Sequence, residues 1–137
     1  MQFMAHRILI VDDHPDVRQG IRQMVSEIYR DAYSEEAGDG QEAMNKIFLN
    51  DYDLVLLDIS MPKMGGFEVL SRIKKEKPNV HVIMLSIHDE EHFANRSFKC
   101  GALGYLTKKF AAEELADAME TVIRGKTYLS RGVKQNN

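Results

Sequence analysis

The chain has 137 residues, 44% hydrophobic and 28% charged, with a formal net charge of -3 at pH 7. That length suits one compact core and is too short for two, and the composition is that of a folded domain. The acidic balance argues against nucleic-acid binding by this stretch. No apolar run approaches a membrane span, and residues 1–5 are too few and too mixed for a signal peptide. The lone cysteine, Cys100, permits no internal disulfide and fits a reducing cytoplasm.

Strand and helix patterns alternate from end to end. Strands are predicted at 7–12, 33–37, 53–58, 81–86 and 103–107. The first, third and fourth carry continuous apolar runs, as strands buried on both faces do. The second, Tyr33-Ser34-Glu35-Glu36-Ala37, is polar and suits a sheet edge. Val17, Ile21, Val25 and Ile28 form one helical stripe, with Pro15 in the first turn, where its missing N–H is harmless. Asp39 followed by Glu42 makes a capping-box pattern for the helix of Ala43, Met44 and Ile47. Gly65-Gly66 precedes the helix of Val69, Leu70 and Ile73, and Pro78 ends it. The fourth helix, 90–99, offers only Phe93, Ala94 and Phe98 as an apolar face, so it is the candidate moving part. The last helix carries Leu115, Met119, Val122 and Ile123 and stops at Gly125. From 126 to 137 the chain turns polar and loses its period, which predicts a linker or a frayed end. Five β/α units with short connections predict a doubly wound α/β domain, a parallel sheet with helices on both faces.

Four predicted strands end on chemically useful groups: Asp12-Asp13, Asp58, Ser86 and Lys108. In a parallel sheet these emerge at one edge, outside the carboxyl ends of the strands, where open α/β sheets bind ligands. Three carboxylates within about 5 Å repel by roughly 3 kcal/mol per pair at an effective dielectric near 20. Such a cluster requires a cation or raised pKa values, and Mg²⁺ with oxygen ligands is the natural partner. Asp58 stands alone on the central strand, the better nucleophile. Lys108 supplies a point charge for a phosphoryl oxygen, and Ser86 a hydroxyl to bond one.

Val11-Asp12-Asp13-His14, Leu57-Asp58-Ile59-Ser60-Met61-Pro62-Lys63-Met64-Gly65-Gly66, Leu85-Ser86 and Gly104-Tyr105-Leu106-Thr107-Lys108 occur in this order. Over residues 7 to about 125 the chain resembles the receiver domain of two-component response regulators. The resemblance implies a flavodoxin-like, five-stranded parallel sheet of order 2-1-3-4-5. It implies that Asp58 accepts a phosphoryl group from the phosphohistidine of a sensor histidine kinase. Mg²⁺ would be held by Asp12, Asp13, Asp58 and the Ser60 backbone carbonyl. Lys108 and Ser86 would stabilise the phosphoryl group, and Ser86 with Tyr105 would form the switch, the tyrosine ring turning from solvent toward the core. The face built from 90–124 would then change, with dimerisation on phosphorylation.

Val11-Asp12-Asp13-His14-Pro15, Ser86-Ile87-His88 and Gly125-Lys126-Thr127-Tyr128-Leu129-Ser130 further resemble regulators with a LuxR-type helix-turn-helix output domain. On that reading, 1–125 is the receiver and 126–137 leads toward an absent DNA-binding domain. A stand-alone receiver acting through protein contacts is the alternative. Many receivers place a cis proline after the active-site lysine, whereas Lys109 stands there in this chain, as is frequent in the LuxR-type branch. Two enzyme readings fare worse. His88-Asp89-Glu90-Glu91-His92 fits a zinc-peptidase pattern but has no third ligand in place. An aspartyl-nucleophile phosphatase would require a second Asp where Ser60 stands, so the chain is expected to be a phosphoacceptor rather than an enzyme acting on outside substrates.

Overall fold

The computed structural model describes residues 6–135; residues 1–5, considered above as a leader, and the last two residues of the tail lie outside them. Six strands, β1 (Arg7–Val11), β2 (Tyr33–Ala37), β3 (Leu54–Asp58), β4 (His81–Ser86), β5 (Gly104–Thr107) and β6 (Tyr128–Leu129), form one sheet of order β2-β1-β3-β4-β5-β6. All the pairings are parallel. Five helices connect them: α1 (Pro15–Ile28), α2 (Gly40–Leu49), α3 (Gly66–Glu76), α4 (Glu91–Lys99) and α5 (Ala111–Ile123), the last preceded by a 3₁₀ turn at Lys108–Phe110. Among the described residues no helix is long and apolar enough to cross a membrane.

The period of two along each inner strand divides the core. Leu9, Val11, Val55, Leu57, Val82 and Met84 face one way and meet Ala43, Met44 and Ile47 of α2, Val69, Leu70 and Ile73 of α3, and Ala94 of α4. Ile8, Ile10, Leu54, Leu56, Ile83 and Leu85 face the other way, against Ile21 and Val25 of α1 and Leu115, Met119 and Val122 of α5. Both faces of the inner strands are dry, which is why they read as unbroken apolar runs. Edge strand β2 is only partly covered.

Local signals act where the spacing placed them. Asp39 accepts the Glu42 N–H at 2.8 Å, and the Glu42 carboxylate reaches back to the Gly38 N–H at 2.8 Å. Gly125 follows α5 at φ 84°, a left-handed conformation that glycine adopts without steric cost. Gly66 is fixed by crowding: a Cβ there would lie 2.3 Å from the Asp58 carbonyl oxygen. The start of α3 is thereby pressed against the end of β3.

Two expectations change. The sheet has six strands, not five, and residues 126–135 are packed rather than frayed. Tyr128 and Leu129 pair with Gly104 and Tyr105 of β5. The cause is Glu114, a buried carboxylate on α5 that accepts from Tyr128 Oη at 2.6 Å, Ser130 Oγ at 2.6 Å and the Arg131 N–H at 3.2 Å. Val133 then enters the core beside Tyr105, and the Lys134 N–H donates to the Asp89 carbonyl at 2.7 Å. Polar side chains erased the helical period of this stretch, yet they are the ones that dock it.

Burial works to raise the pKa of Glu114, but the Ser130 and Tyr128 hydroxyls and the Arg131 amide outweigh it and hold the group below its usual value. The stability it contributes is therefore present above the ordinary carboxylate range and lost as pH falls through the folded-state value. Glu114→Ala should lower the unfolding free energy by about 2–3 kcal/mol, since it strands buried donors. Urea denaturation measures this, and hydrogen exchange should show the amides of 128–134 losing protection; unchanged tail protection would contradict the anchoring role.

Candidate functional site

Strand register brings the predicted groups to one edge. Val11 pairs with Leu57, Asp58 with Leu85, and Ser86 with Thr107. Asp12, Asp58, Ser86 and Lys108 therefore leave the sheet at nearly one level. Lys108 Nζ lies 2.9 Å from Asp12 Oδ2 and 3.4 Å from Asp58 Oδ2. Asp12 and Asp58 are buried. Peptide bonds of the described residues are all trans, the one between Lys108 and Lys109 included.

The two buried carboxylates differ in pKa direction. Burial alone would raise Asp12, but the Lys108 ammonium and the His14 amide outweigh it and hold the group below its ordinary value. Asp58 is raised, first by burial and further by the negative charge of Asp12, with Lys108 opposing. Lys108 would be lowered by burial, yet its two carboxylate neighbours bring it above its ordinary value. One ammonium thus serves two anions and favours Asp12.

Asp13 joins the pocket through its neighbour. His14 Nδ1 lies 3.1 Å from Asp12 Oδ1 and 3.1 Å from Asp13 Oδ1. Asp13 Oδ1 is shielded from solvent and accepts no hydrogen bond. Asp12, Asp13 and His14 are the described residues whose ligand atoms cluster, within 4.8 Å of one another, as a metal site requires. An orphaned, shielded carboxylate oxygen beside a buried carboxylate fits a hard cation that prefers oxygen. Ser60 lies at the rim, its N–H donating to Asp58 Oδ1 at 3.2 Å. His88 and His92 gather no such cluster; both rings pack on Phe93.

Ser86 and Tyr105, expected to form a switch, lie on neighbouring strands but are differently engaged. Ser86 Oγ accepts the His88 N–H at 2.9 Å, so its hydroxyl serves the β4–α4 loop. Tyr105 was expected to start in solvent. It is fully buried, and its hydroxyl donates to the His88 carbonyl at 2.7 Å. His88 is therefore held through both backbone groups, its N–H by Ser86 and its carbonyl by Tyr105.

The model of the response regulator receiver domain family matches residues 8–120. This chain belongs to that family. The receiver is 36% identical over 128 residues to the response regulator UvrY of Escherichia coli (strain K12), covering 93% of the chain and 59% of UvrY. It thus spans about three fifths of that curated relative's length. A two-component response regulator of the LuxR family from Aurantimonas sp. SI85-9A1 superposes with a TM-score of 0.87 at 32% identity, covering 95% of this chain and 93% of that one. The response regulator TrrA from Thermotoga maritima, solved in complex with Mg(2+)-BeF, superposes with a TM-score of 0.76 at 34% identity, covering 87% and 99%. The chain is accordingly a signalling receiver of a two-component response regulator, with the doubly wound α/β fold of its relatives.

One residue beside the receiver's pocket, Arg18, was missed by sequence reasoning. Arg18 donates to the Asp12 carbonyl at 2.6 Å and to Glu36 Oε1 at 2.9 Å, pinning the β1–α1 turn to β2. Its place one helical turn after His14 was the available signal. His14 and Gly66 were visible as parts of the motifs, without their contacts to Asp12 and to the Asp58 carbonyl.

A raised carboxylate pKa means that the folded state binds this proton more tightly than the unfolded chain. The contribution of Asp58 to stability is then largest at low pH and is lost as pH rises through the shifted range. At pH 7 in the presence of a chelator, Asp58→Asn should unfold at higher urea concentration than the parent chain. A less stable variant would show that Lys108 more than offsets the cost of burying this charge.

Proposed function

We propose that this receiver accepts a phosphoryl group on Asp58 from the phosphohistidine of a sensor histidine kinase, in the cytoplasm and with Mg²⁺. The observation that carries the reading is the Lys108 ammonium poised between Asp12 and Asp58. An Asp58 oxygen attacks phosphorus as the N–P bond breaks, and the leaving imidazole nitrogen keeps the electron pair and takes a proton. Asp12, Asp13, Asp58 and the Ser60 carbonyl would hold the Mg²⁺, which neutralises charge on the transferring group. Asp58 orients its carboxylate through the Ser60 N–H. Lys108, closer to Asp12 in the free chain, can swing to a phosphoryl oxygen once Asp58 carries the dianionic phosphoryl group.

The switch follows from what Ser86 has to give up. To bond a phosphoryl oxygen, its hydroxyl would release the His88 N–H. Tyr105 still holds the His88 carbonyl, so the loop re-seats about that bond and α4 follows. Its amphipathic face buries only Ala94 and Ser97, a light anchorage for a moving element. Driving such an equilibrium from 1:99 to 99:1 would take about 5.5 kcal/mol of differential binding, so a partial shift completed by partner contact is the expected behaviour. By likeness to the LuxR-family structure, the output is proposed to be transcriptional, through a DNA-binding domain and dimerisation on phosphorylation. Hydrolysis of outside phosphate esters is not expected, because Ser60 stands where a general acid would have to be.

Asp58→Asn should abolish labelling by acetyl phosphate in Mg²⁺, read by intact mass; persistent labelling would refute the assignment. Ser86→Ala should still be labelled, or mimic labelling with beryllium fluoride, while the backbone shift of His88 on activation is lost in NMR spectra. An unaltered His88 response in that variant would remove Ser86 from the switch.

A further inference from the structure

We propose that residues 131–134 are an autoinhibitory strap, which clips the β4–α4 loop in its resting form and opposes activation of the receiver. This rests on the reading of Ser86 and that loop as the switch, and adds a second hold that works against it. The two ends of the strap are fastened unequally. At one end the buried Glu114 carboxylate accepts from Tyr128, Ser130 and the Arg131 N–H. The Ser130 N–H also donates to the Tyr105 carbonyl at 2.8 Å. Gly132 is wedged in beside them, since a Cβ there would lie 2.6 Å from both Thr107 Oγ1 and a ring carbon of Phe110. At the other end the chain crosses to the loop. There the Lys134 N–H donates to the Asp89 carbonyl at 2.7 Å, and Lys134 bridges to Glu90 in parallel fashion. The Lys134 ammonium stands 3.7 Å from Asp89 Oδ2 with its side chain 78% exposed, so that ion pair adds little. A buried anchor thus leads to a clip that depends chiefly on one backbone hydrogen bond.

The clip grips the segment that activation has to move. Along the loop, Ser86 holds the His88 N–H, Tyr105 the His88 carbonyl and Lys134 the Asp89 carbonyl. The Tyr105 bond lies between the other two. A turn of the loop about it that frees the His88 N–H also displaces the Asp89 carbonyl. The anchored half of the strap cannot follow, because Glu114 and the tight fit of Gly132 fix it to α5 and to the end of β5. Release of His88 by Ser86 therefore works against the Lys134 bond. An interaction made only in the resting form lowers the apparent affinity of any ligand that selects the active form. The coupling is reciprocal: filling the Asp58 pocket should open the strap, and opening the strap should favour filling the pocket.

The test uses the 137-residue chain with beryllium fluoride and Mg²⁺. On loading, hydrogen exchange of the Lys134 amide should quicken at least about fivefold, the equilibrium worth of one net hydrogen bond, while the amides of Tyr128 and Ser130 keep their protection. Lys134→Pro removes the donor, and its apparent affinity for beryllium fluoride, read from the His88 amide shift, should rise by a similar factor. Lys134→Ala keeps the N–H and should titrate like the parent. A Lys134 amide that stays protected in a loaded parent chain whose His88 signal has moved would overturn the strap without recourse to any variant. A folded Lys134→Pro chain that titrates like the parent would do so too, and equal tightening in Lys134→Ala would overturn the backbone clip. If loading leaves the His88 signal of the parent unmoved, the switch reading itself fails, and the strap with it.

Discussion

The structure is organised around a charge imbalance at the carboxyl edge of the sheet. Two buried carboxylates, Asp12 and Asp58, share the single ammonium of Lys108, which is 2.9 Å from one and 3.4 Å from the other. In a poorly solvated pocket this leaves Asp58 under-compensated and Asp12 satisfied, as their opposite pKa directions express. An under-compensated anion attracts whatever brings positive charge. The fold's task is to hold this imbalance in place, and the three dry central strands do so by leaving these side chains nowhere else to go.

Much of this was legible beforehand because periodicity and strand ends are local properties. Ile8 to Val11 and Leu54 to Leu57 announced strands buried on both faces, and both cores are built on them. Asp12, Asp58, Ser86 and Lys108 could be placed on one edge from topology alone, since parallel strands share a carboxyl end. What stayed illegible depends on partners distant in sequence. Glu114 reads as one more acidic residue at a helix start, and only Ser130 and Tyr128, 16 and 14 residues away, reveal it as an anchor. Without that pairing the tail has no visible reason to be ordered, and a sixth strand of two residues leaves no periodic trace.

The inward position of Tyr105 was illegible for a different reason. A tyrosine within a short strand can send its hydroxyl to solvent or to the loop beside it, and the choice depends on the His88 carbonyl, an acceptor that no side-chain pattern encodes. The same loop carries Ser86 on its other backbone group, so three residues from two strands and a turn form a single mechanical unit. The tail joins that unit from outside, through the Lys134 N–H on the Asp89 carbonyl.

The crowding at Gly66 bears on where the Asp58 carboxylate is held. With 2.3 Å between the Asp58 carbonyl oxygen and any atom added at this glycine, even a methyl group would force the end of β3 or the head of α3 to retreat. Because β3 is hydrogen-bonded on both sides, the displacement would tilt the Asp58 carboxylate relative to an ammonium only 3.4 Å away. A residue without a single reactive atom thus calibrates the separation between the Asp58 carboxylate and the Lys108 ammonium.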